Sequence, residues 1–261
     1  MPVEIIATAD AVIEVEVHGD GDPVVLLPSL GRGCADFALL TRSLCEGGFC
    51  CLGVNPRQIG NSQGSLSEIT LRDLAADVAA VITSLDAGPV HVIGHAFGNR
   101  VARCLSTDRP DLVRRLVLLA AGGRFPPETE AGDAMLRVLS ESLTLLERMT
   151  LIQKALFADG SNAQAWSDGW WPQTGLAQIT IAKATVAEQW WAGGDASMLV
   201  IQGLADRLAP PANGRSLNDE FPHRTRLVEL ANAGHALLPE QPVAIADTVL
   251  AYLGDNSVDN G

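Results

Sequence analysis

The sequence has little of what would place a chain in a membrane, on nucleic acid or around a metal. No stretch approaches the roughly 20 consecutive apolar residues that a spanning helix needs. The opening segment, MPVEIIATADAVIEVEVHG, has no basic part leading into an apolar part of the signal-peptide kind, so the expected location is the cytoplasm. Lys and Arg are scarce, 18 against 31 Asp and Glu, a formal net charge of −13, and they form no run. Diffuse attraction to a phosphate backbone or an anionic bilayer is thereby disfavoured, and neither nucleic acid nor a membrane is expected as a partner. The five cysteines, Cys34, Cys45, Cys50, Cys51 and Cys104, are odd in number and lack a CxxC pair. They read as small buried hydrophobes in a reducing compartment, not as a disulfide framework or a zinc site. His91 and His95 are four apart, but across a strand and a turn rather than on one helix face, so no metal site and no cofactor are expected. No internal repeat is evident.

What is present is a globular composition: 261 residues, 47% hydrophobic and 19% charged, with a mean hydropathy of +0.17. That length buries a substantial core and suits one domain with room for an insertion. Apolar, β-branched runs at 3–6, 13–17 and 24–27 predict opening strands, the first two as a hairpin or meander. Helical spacing over 36–46 and a short apolar run at 49–54 follow. The order then repeats: a helix capped by Ser67 or Thr70, a strand at 90–93, a helix over 99–107 and a strand at 116–120. Strands apolar on both faces and separated by helices predict a mostly parallel sheet covered on both sides, an α/β fold.

From about 124 to 191 the pattern changes. No strand is predicted there, helical stretches run over 129–157 and 175–189, and all five tryptophans, Trp166, Trp170, Trp171, Trp190 and Trp191, fall in this segment. It reads as a helical insertion over one end of the sheet, its tryptophans either filling an undersized helical layer or lining an apolar pocket. The sheet pattern resumes at 198–202 and 225–230, with helices at 213–220 and 242–253, and the tail DNSVDNG is too polar for more than a frayed end. The expected division is therefore 1–123 and 192–254 as the core, 124–191 as a cap and 255–261 as tail.

The segment VHVIGHAFGNRVARCL is the most informative. An apolar strand runs into Gly94-His95-Ala96-Phe97-Gly98 and then a helix; two glycines four apart permit a sharp elbow that projects the central side chain, here Ala96, above the sheet. With this elbow, the chain over nearly its whole length resembles the α/β-hydrolase family. The resemblance implies a mostly parallel sheet of about eight strands, flanked by helices, with a helical cap inserted after the sixth. The family's usual His-Gly after its third strand is matched by Pro28 and Ser29, followed by Leu30 and Gly31, and the resemblance assigns the backbone N–H groups of Leu30 and Phe97 to an oxyanion hole. Asn55 to Ser62 matches the family's Asp-x-Arg-Gly-x-Gly-x-Ser loop except at Asn55 and Gln58; Arg57 there either orients the loops or contacts substrate. Asp206, in the segment VIQGLADR, matches the family's acid, and His235, in Ala233-Gly234-His235, its histidine. An aspartate on one imidazole nitrogen fixes the tautomer and leaves the other nitrogen to shuttle a proton. His95 borders the elbow and either touches substrate or packs beneath it, whereas His18 and His223 read as surface residues.

Ala96 is the main departure from the family, which carries a nucleophilic serine at this position. Alanine has no atom to attack a carbonyl, so no acyl-enzyme can form on it. Two readings stand: either the alanine is native and His235 activates a water above its Cβ, or it stands where a catalytic serine was replaced. Both imply a hydrolase of a small, mainly apolar ester, lactone or related acyl compound, with Trp166, Trp170, Trp171, His95 and Arg57 as candidate pocket residues and an uncharged or weakly polar organic substrate as partner. A noncatalytic small-molecule binding protein on the same scaffold is the alternative, and a homo-oligomer is compatible with the sequence.

Overall fold

The computed structural model describes residues 2–139 and 142–255, so that of the expected tail only Asp255 is covered. The chain opens with β1 (Val3–Ala7) and β2 (Ala11–His18), an antiparallel hairpin in which Val3 faces Glu16. Next come β3 (Asp22–Leu27), α1 (Ala38–Glu46), β4 (Phe49–Val54) and a two-residue β5 (Gln63–Gly64). Then α2 (Leu71–Ser84), β6 (Val90–His95), α3 (Phe97–Asp108) and β7 (Val113–Leu119) follow in strict alternation. Between β7 and β8 (Ser197–Gly203) the described residues form no strand; they contain α4 (Thr129–Val138), α5 (Leu145–Leu156), α6 (Pro172–Ala184) and short 3-10 turns. The chain closes with α7 (Ala212–Glu220), β9 (Thr225–Leu230), α8 (Leu237–Glu240) and α9 (Pro242–Leu253).

The strands form one sheet in the order β1-β2-β4-β3-β6-β7-β8-β9, with β5 added beside β2. From β4 to β9 every neighbour is parallel, whereas β1, β2 and β5 join antiparallel. The mostly parallel sheet and its helical cover match the sequence reading; the strand count is nine because β5, a two-residue ladder, is too short to leave a hydrophobic pattern.

The two sheet faces bury separate apolar layers. Val25, Leu27, Val92, Leu116, Leu118 and Val200 point to the α2–α3 side, while Val24, Leu26, Ile93, Val117, Leu199 and Ile201 point to the α1–α9 side. That alternation along fully apolar strands is the expected signature of a sheet covered twice. A third cluster, with Val138, Ile152, Leu156, Phe157 and Trp166, joins the helices between β7 and β8 to one another. Thr70, not Ser67, caps α2, through a reciprocal pair of bonds with Asp73. All five cysteines are free thiols, three of them buried. Among the described residues no helix is long and apolar enough to cross a membrane.

Candidate active site

The parallel strands end at one edge, and the loops leaving β3, β6, β8 and β9 meet there. At the end of β6 the chain reverses direction within one residue. Ala96 has φ 49° and ψ −104°, a conformation that L residues rarely adopt. The flanking glycines make the reversal possible: a Cβ on Gly98 would lie 2.1 Å from the Leu27 carbonyl oxygen, and one on Gly94 would lie 2.5 Å from the Asn99 backbone. Ala96 N–H donates to the Leu119 carbonyl at 2.9 Å, and Asn99 Nδ2 donates to the carbonyls of Leu119 and Ala120. The elbow is thus bolted to the end of β7.

Phe97 opens α3, so its N–H has no carbonyl one turn earlier to receive it. Neither this N–H nor that of Leu30 has an acceptor among the described residues. The Leu30 loop is held from both sides: Gly31 N–H donates to Gln178 Oε1 on α6 at 2.7 Å, and Cys34 N–H donates to Asn55 Oδ1 at 2.8 Å. Asn55, a departure from the family's aspartate, also donates to Glu14 at 2.7 Å, which an aspartate could not do.

Asp206 is 2% exposed and every donor around it is fixed. Its Oδ1 accepts from the N–H groups of Leu208 and Ala209 at 2.9 and 2.7 Å, and its Oδ2 accepts from Gln202 Nε2 at 3.2 Å. His235 Nδ1 sits 3.1 and 3.0 Å from the two carboxylate oxygens. An ionised carboxylate can only accept, so a neutral imidazole facing it carries its proton on Nδ1 and leaves Nε2 as the acceptor nitrogen. The histidine loop itself is anchored to the helical segment: Ala236 N–H donates to the Leu156 carbonyl, and Glu240 accepts from both Gly234 and Ala158 N–H.

His95 is wholly buried and its Nε2 lies 2.8 Å from the His235 carbonyl oxygen, so that nitrogen carries the proton. Burial, with the neighbouring His235 and Arg32, pushes its pKa down to about 3. It is a neutral strut between elbow and histidine loop.

Ser29, Leu30, Ala96, Phe97 and His235 border one cavity of about 450 Å³, closed over by α4, α6, Leu156, Trp166 and Trp170. Three residues singled out from the sequence lie elsewhere. Arg57 is absent from this wall because Asp77 holds it in a two-bond ion pair at 2.7 and 3.0 Å, with Ser65 carbonyl as a third partner. Trp171 is turned onto the Leu30 loop, where its ring would contact a Cβ at Gly33 and its N–H donates to the Gly31 carbonyl. His95 packs beneath the elbow, away from the cavity wall. Trp190 and Trp191, both buried, stack on the guanidinium of Arg103 in the sheet-side core.

Sequence reasoning passed over Gln178, Gln202, Glu240 and Arg100. Gln178 and Glu240 accept from backbone N–H groups of distant segments, at Gly31 and Ala158, and Gln202 donates within its own loop to Asp206 and the Ala209 carbonyl, relations that no local pattern encodes. Arg100 lines the cavity together with Glu128, Asp133 and Lys183, so the wall is not uniformly apolar. Among the described residues, no group of three or more His, Cys, Asp or Glu is placed to hold a metal ion.

Comparison with known proteins places these loops in a family. The model of the "Alpha/beta hydrolase family" matches residues 17–248. A Mycobacterium tuberculosis protein named "Putative non-heme bromoperoxidase BpoC" is 28% identical over 253 residues, 90% of this chain and 95% of its own length. Its crystal structure superposes with a TM-score of 0.80 at 25% identity, over 94% of this chain and 96% of that one. Rhodomycin D methylesterase DnrP of Streptomyces peucetius is 25% identical over 216 residues, 69% of this chain and 71% of its own. A thermophilic esterase from Thermogutta terrifontis shares the fold, with a TM-score of 0.80 at 20% identity over 97% and 98% of the two chains.

Proposed function

The chain belongs to the alpha/beta hydrolase family, and from that premise we propose that it hydrolyses a small, mainly apolar ester, lactone or related acyl compound under a cap formed by residues 124–191. The observation that carries this reading is the His235–Asp206 pair, at 3.0 Å, opening on the same cavity as Ala96 and the free N–H groups of Leu30 and Phe97. Simple binding does not require a carboxylate wrapped in four donors solely to orient one imidazole. The Streptomyces peucetius relative is named as a methylesterase, which adds support for acyl chemistry.

In this chain the nucleophile is water. His235 Nε2 takes one proton from a water held above the Ala96 Cβ, and the water oxygen forms a bond to the acyl carbon. The carbonyl electron pair moves onto oxygen, where Leu30 and Phe97 N–H donate to it without reorganising. Collapse breaks the bond to the leaving oxygen, which takes the proton from His235, and Asp206 stabilises the imidazolium in between. A serine at 96 would divide the same reaction into acylation and deacylation.

The test compares this protein with Ala96→Ser on a panel of aryl esters, thioesters and lactones. Turnover by the Ala96 protein that His235→Ala abolishes supports the water route. A gain above ~10²-fold in Ala96→Ser, with a covalent adduct from a serine-directed phosphonate, would show the loops to be built around a serine. Saturable binding with no turnover in either form, unaffected by His235→Ala, would replace hydrolysis with a binding role.

A further inference from the structure

Among the described residues four arginines are buried, and each of their guanidiniums is fully employed. Arg32 is paired with Asp36 and stacked between Trp166 and Trp170, each ring centroid 4.6 Å away. Arg57 is held by Asp77. Arg103 donates to Asn99 Oδ1 and to the Gly122 carbonyl, both at 2.6 Å. Arg115 donates to the Tyr252 and Asp255 carbonyls, also at 2.6 Å.

Arg100 differs from all four. It stands on the first turn of α3, about 6 Å along the axis from Ala96 at 1.5 Å per residue, and it lines the cavity. Side chains on a helix lean toward its N-terminus, here toward the elbow. Among the described residues it has no hydrogen bond and no ion pair; the Trp190 ring lies 5.6 Å from its guanidinium carbon. Burial lowers its pKa, and no carboxylate acts against that effect. The second cation nearby, Arg103, makes the local potential more positive still: the charge of Arg100 is among the causes that lower the Arg103 pKa to about 9. Glu128 and Asp133 border the same cavity, but both are exposed at its rim and neither is paired with Arg100.

We propose that Arg100 is an anion-binding subsite and that the ligand of this cavity, otherwise apolar, carries a carboxylate or similar singly charged anionic group about one helical turn from the reacting carbon. A half-buried guanidinium that borders the cavity without a counter-charge is stabilised by a planar anion offering two acceptors in its own geometry. The apolar remainder of the wall, Leu136, Met135, Ile179, Trp166 and Trp170, takes the rest of the molecule. This amends the uncharged substrate expected from the sequence. It rests on the proposed function only in taking this cavity as the substrate site.

The experiment measures binding, not turnover, on the protein as it stands. Isothermal titration with two matched pairs, 4-phenylbutyrate against 4-phenylbutyramide and hexanoate against hexanamide, is expected to show the carboxylate at least tenfold tighter in one pair. Arg100→Gln should reduce that preference below threefold, and Arg100→Lys should keep part of it. Equal affinities in both pairs, or no binding of either carboxylate, overturns the proposal without any variant having to fold. A preference that survives Arg100→Gln, or that vanishes with Lys183→Gln instead, overturns the assignment to Arg100. Carboxylate preference with no turnover by either the Ala96 protein or Ala96→Ser would leave the subsite standing and remove the hydrolase reading. Turnover of neutral esters without carboxylate preference would do the reverse.

Discussion

The elbow and the histidine loop face each other across one cavity and solve opposite problems. The elbow holds a strained backbone in place by close backbone packing, two glycines that admit no Cβ and a carbonyl bond to β7, yet the residue it displays is chemically inert. The histidine loop displays an imidazole, and its position is set by side chains: Asp206, Glu240 and His95. The difference teaches that backbone contacts shape one half of the site and side chains the other, with His95 of the elbow as the bond between them. Changing residue 96 from serine to alanine alters none of the bonds that shape the elbow, because all of them are made by backbone or by Asn99. The geometry of the elbow is therefore independent of which side chain stands at position 96.

The sharpest way to break this comparison is Asp206→Asn. An amide can present N–H to His235 Nδ1 and thereby favour the wrong tautomer, with the geometry intact. Turnover, in this protein or in Ala96→Ser, should fall by about 10³- to 10⁴-fold, while thermal unfolding changes little. A fall below tenfold in kcat/KM would mean that His235 does not work through Asp206. On the other side of the cavity, Gly98→Ala tests how far the elbow depends on close backbone packing. Its Cβ would meet the Leu27 and Pro28 carbonyl oxygens at 2.1 and 2.7 Å, backbone atoms that cannot step aside. A loss of about 3 kcal/mol in urea unfolding is expected, at the upper end of overpacking costs; a loss under about 1 kcal/mol would show that the elbow can shift.

His95 joins the two regions, being the residue before Ala96 and a donor to the His235 carbonyl, and it gives the comparison a pH axis. Its folded pKa of about 3 lies below the ordinary histidine value of 6.5, so between these values the unfolded chain binds more protons. Stability on this account is fully present above pH 6.5 and declines as pH falls toward 3, at up to about 1.4 kcal/mol per pH unit. His95→Gln, which can still donate to the carbonyl, should flatten the dependence of unfolding free energy between pH 6.5 and 4.5. An unchanged slope would assign the acid sensitivity to other groups.

How much of this was legible in the sequence follows the same division between backbone and distant side chains. Val90 to Ile93 followed by Gly94 and Gly98 announces strand, elbow and helix because steric demands act within a few residues. Seven of the eight strands other than β5 declare themselves within two residues of their edges, since apolar content on both faces is local information; β7 alone starts three residues early, at Val113. The predicted helix over 129–157 is two helices, and Thr144 with Glu147 forms the capping box that opens the second. The four-residue α8 was too short for any periodicity to reveal. Arg57 could not be placed from sequence, because its fate depends on Asp77, twenty residues away on the next helix. Trp171 could not be separated from Trp170, though adjacent residues in a turn face different neighbours: one borders the cavity and the other the Leu30 loop. Arg100 escaped notice because what marks it is the lack of a partner, and partners are a property of three dimensions.

The smallest expected effect addresses the strain itself. An Ala→Gly change in ordinary secondary structure destabilises by roughly 0.5–1 kcal/mol, since glycine loses more freedom on folding. At Ala96 the sign should reverse. With φ at 49° and ψ at −104°, the alanine Cβ crowds its own backbone, and glycine adopts this conformation without that crowding. The Cβ is small and contributes little burial, so relief of strain outweighs the entropy of the freer unfolded chain. Ala96→Gly is expected to raise the unfolding free energy by about 1 kcal/mol, read as a rightward shift of the urea midpoint with the slope unchanged. A destabilisation of the ordinary size would mean that the elbow relaxes around alanine in solution and stores no strain. In that event the projection of residue 96 above the sheet would not be enforced by backbone packing, and the contrast with the side-chain-anchored histidine loop would fail at its root.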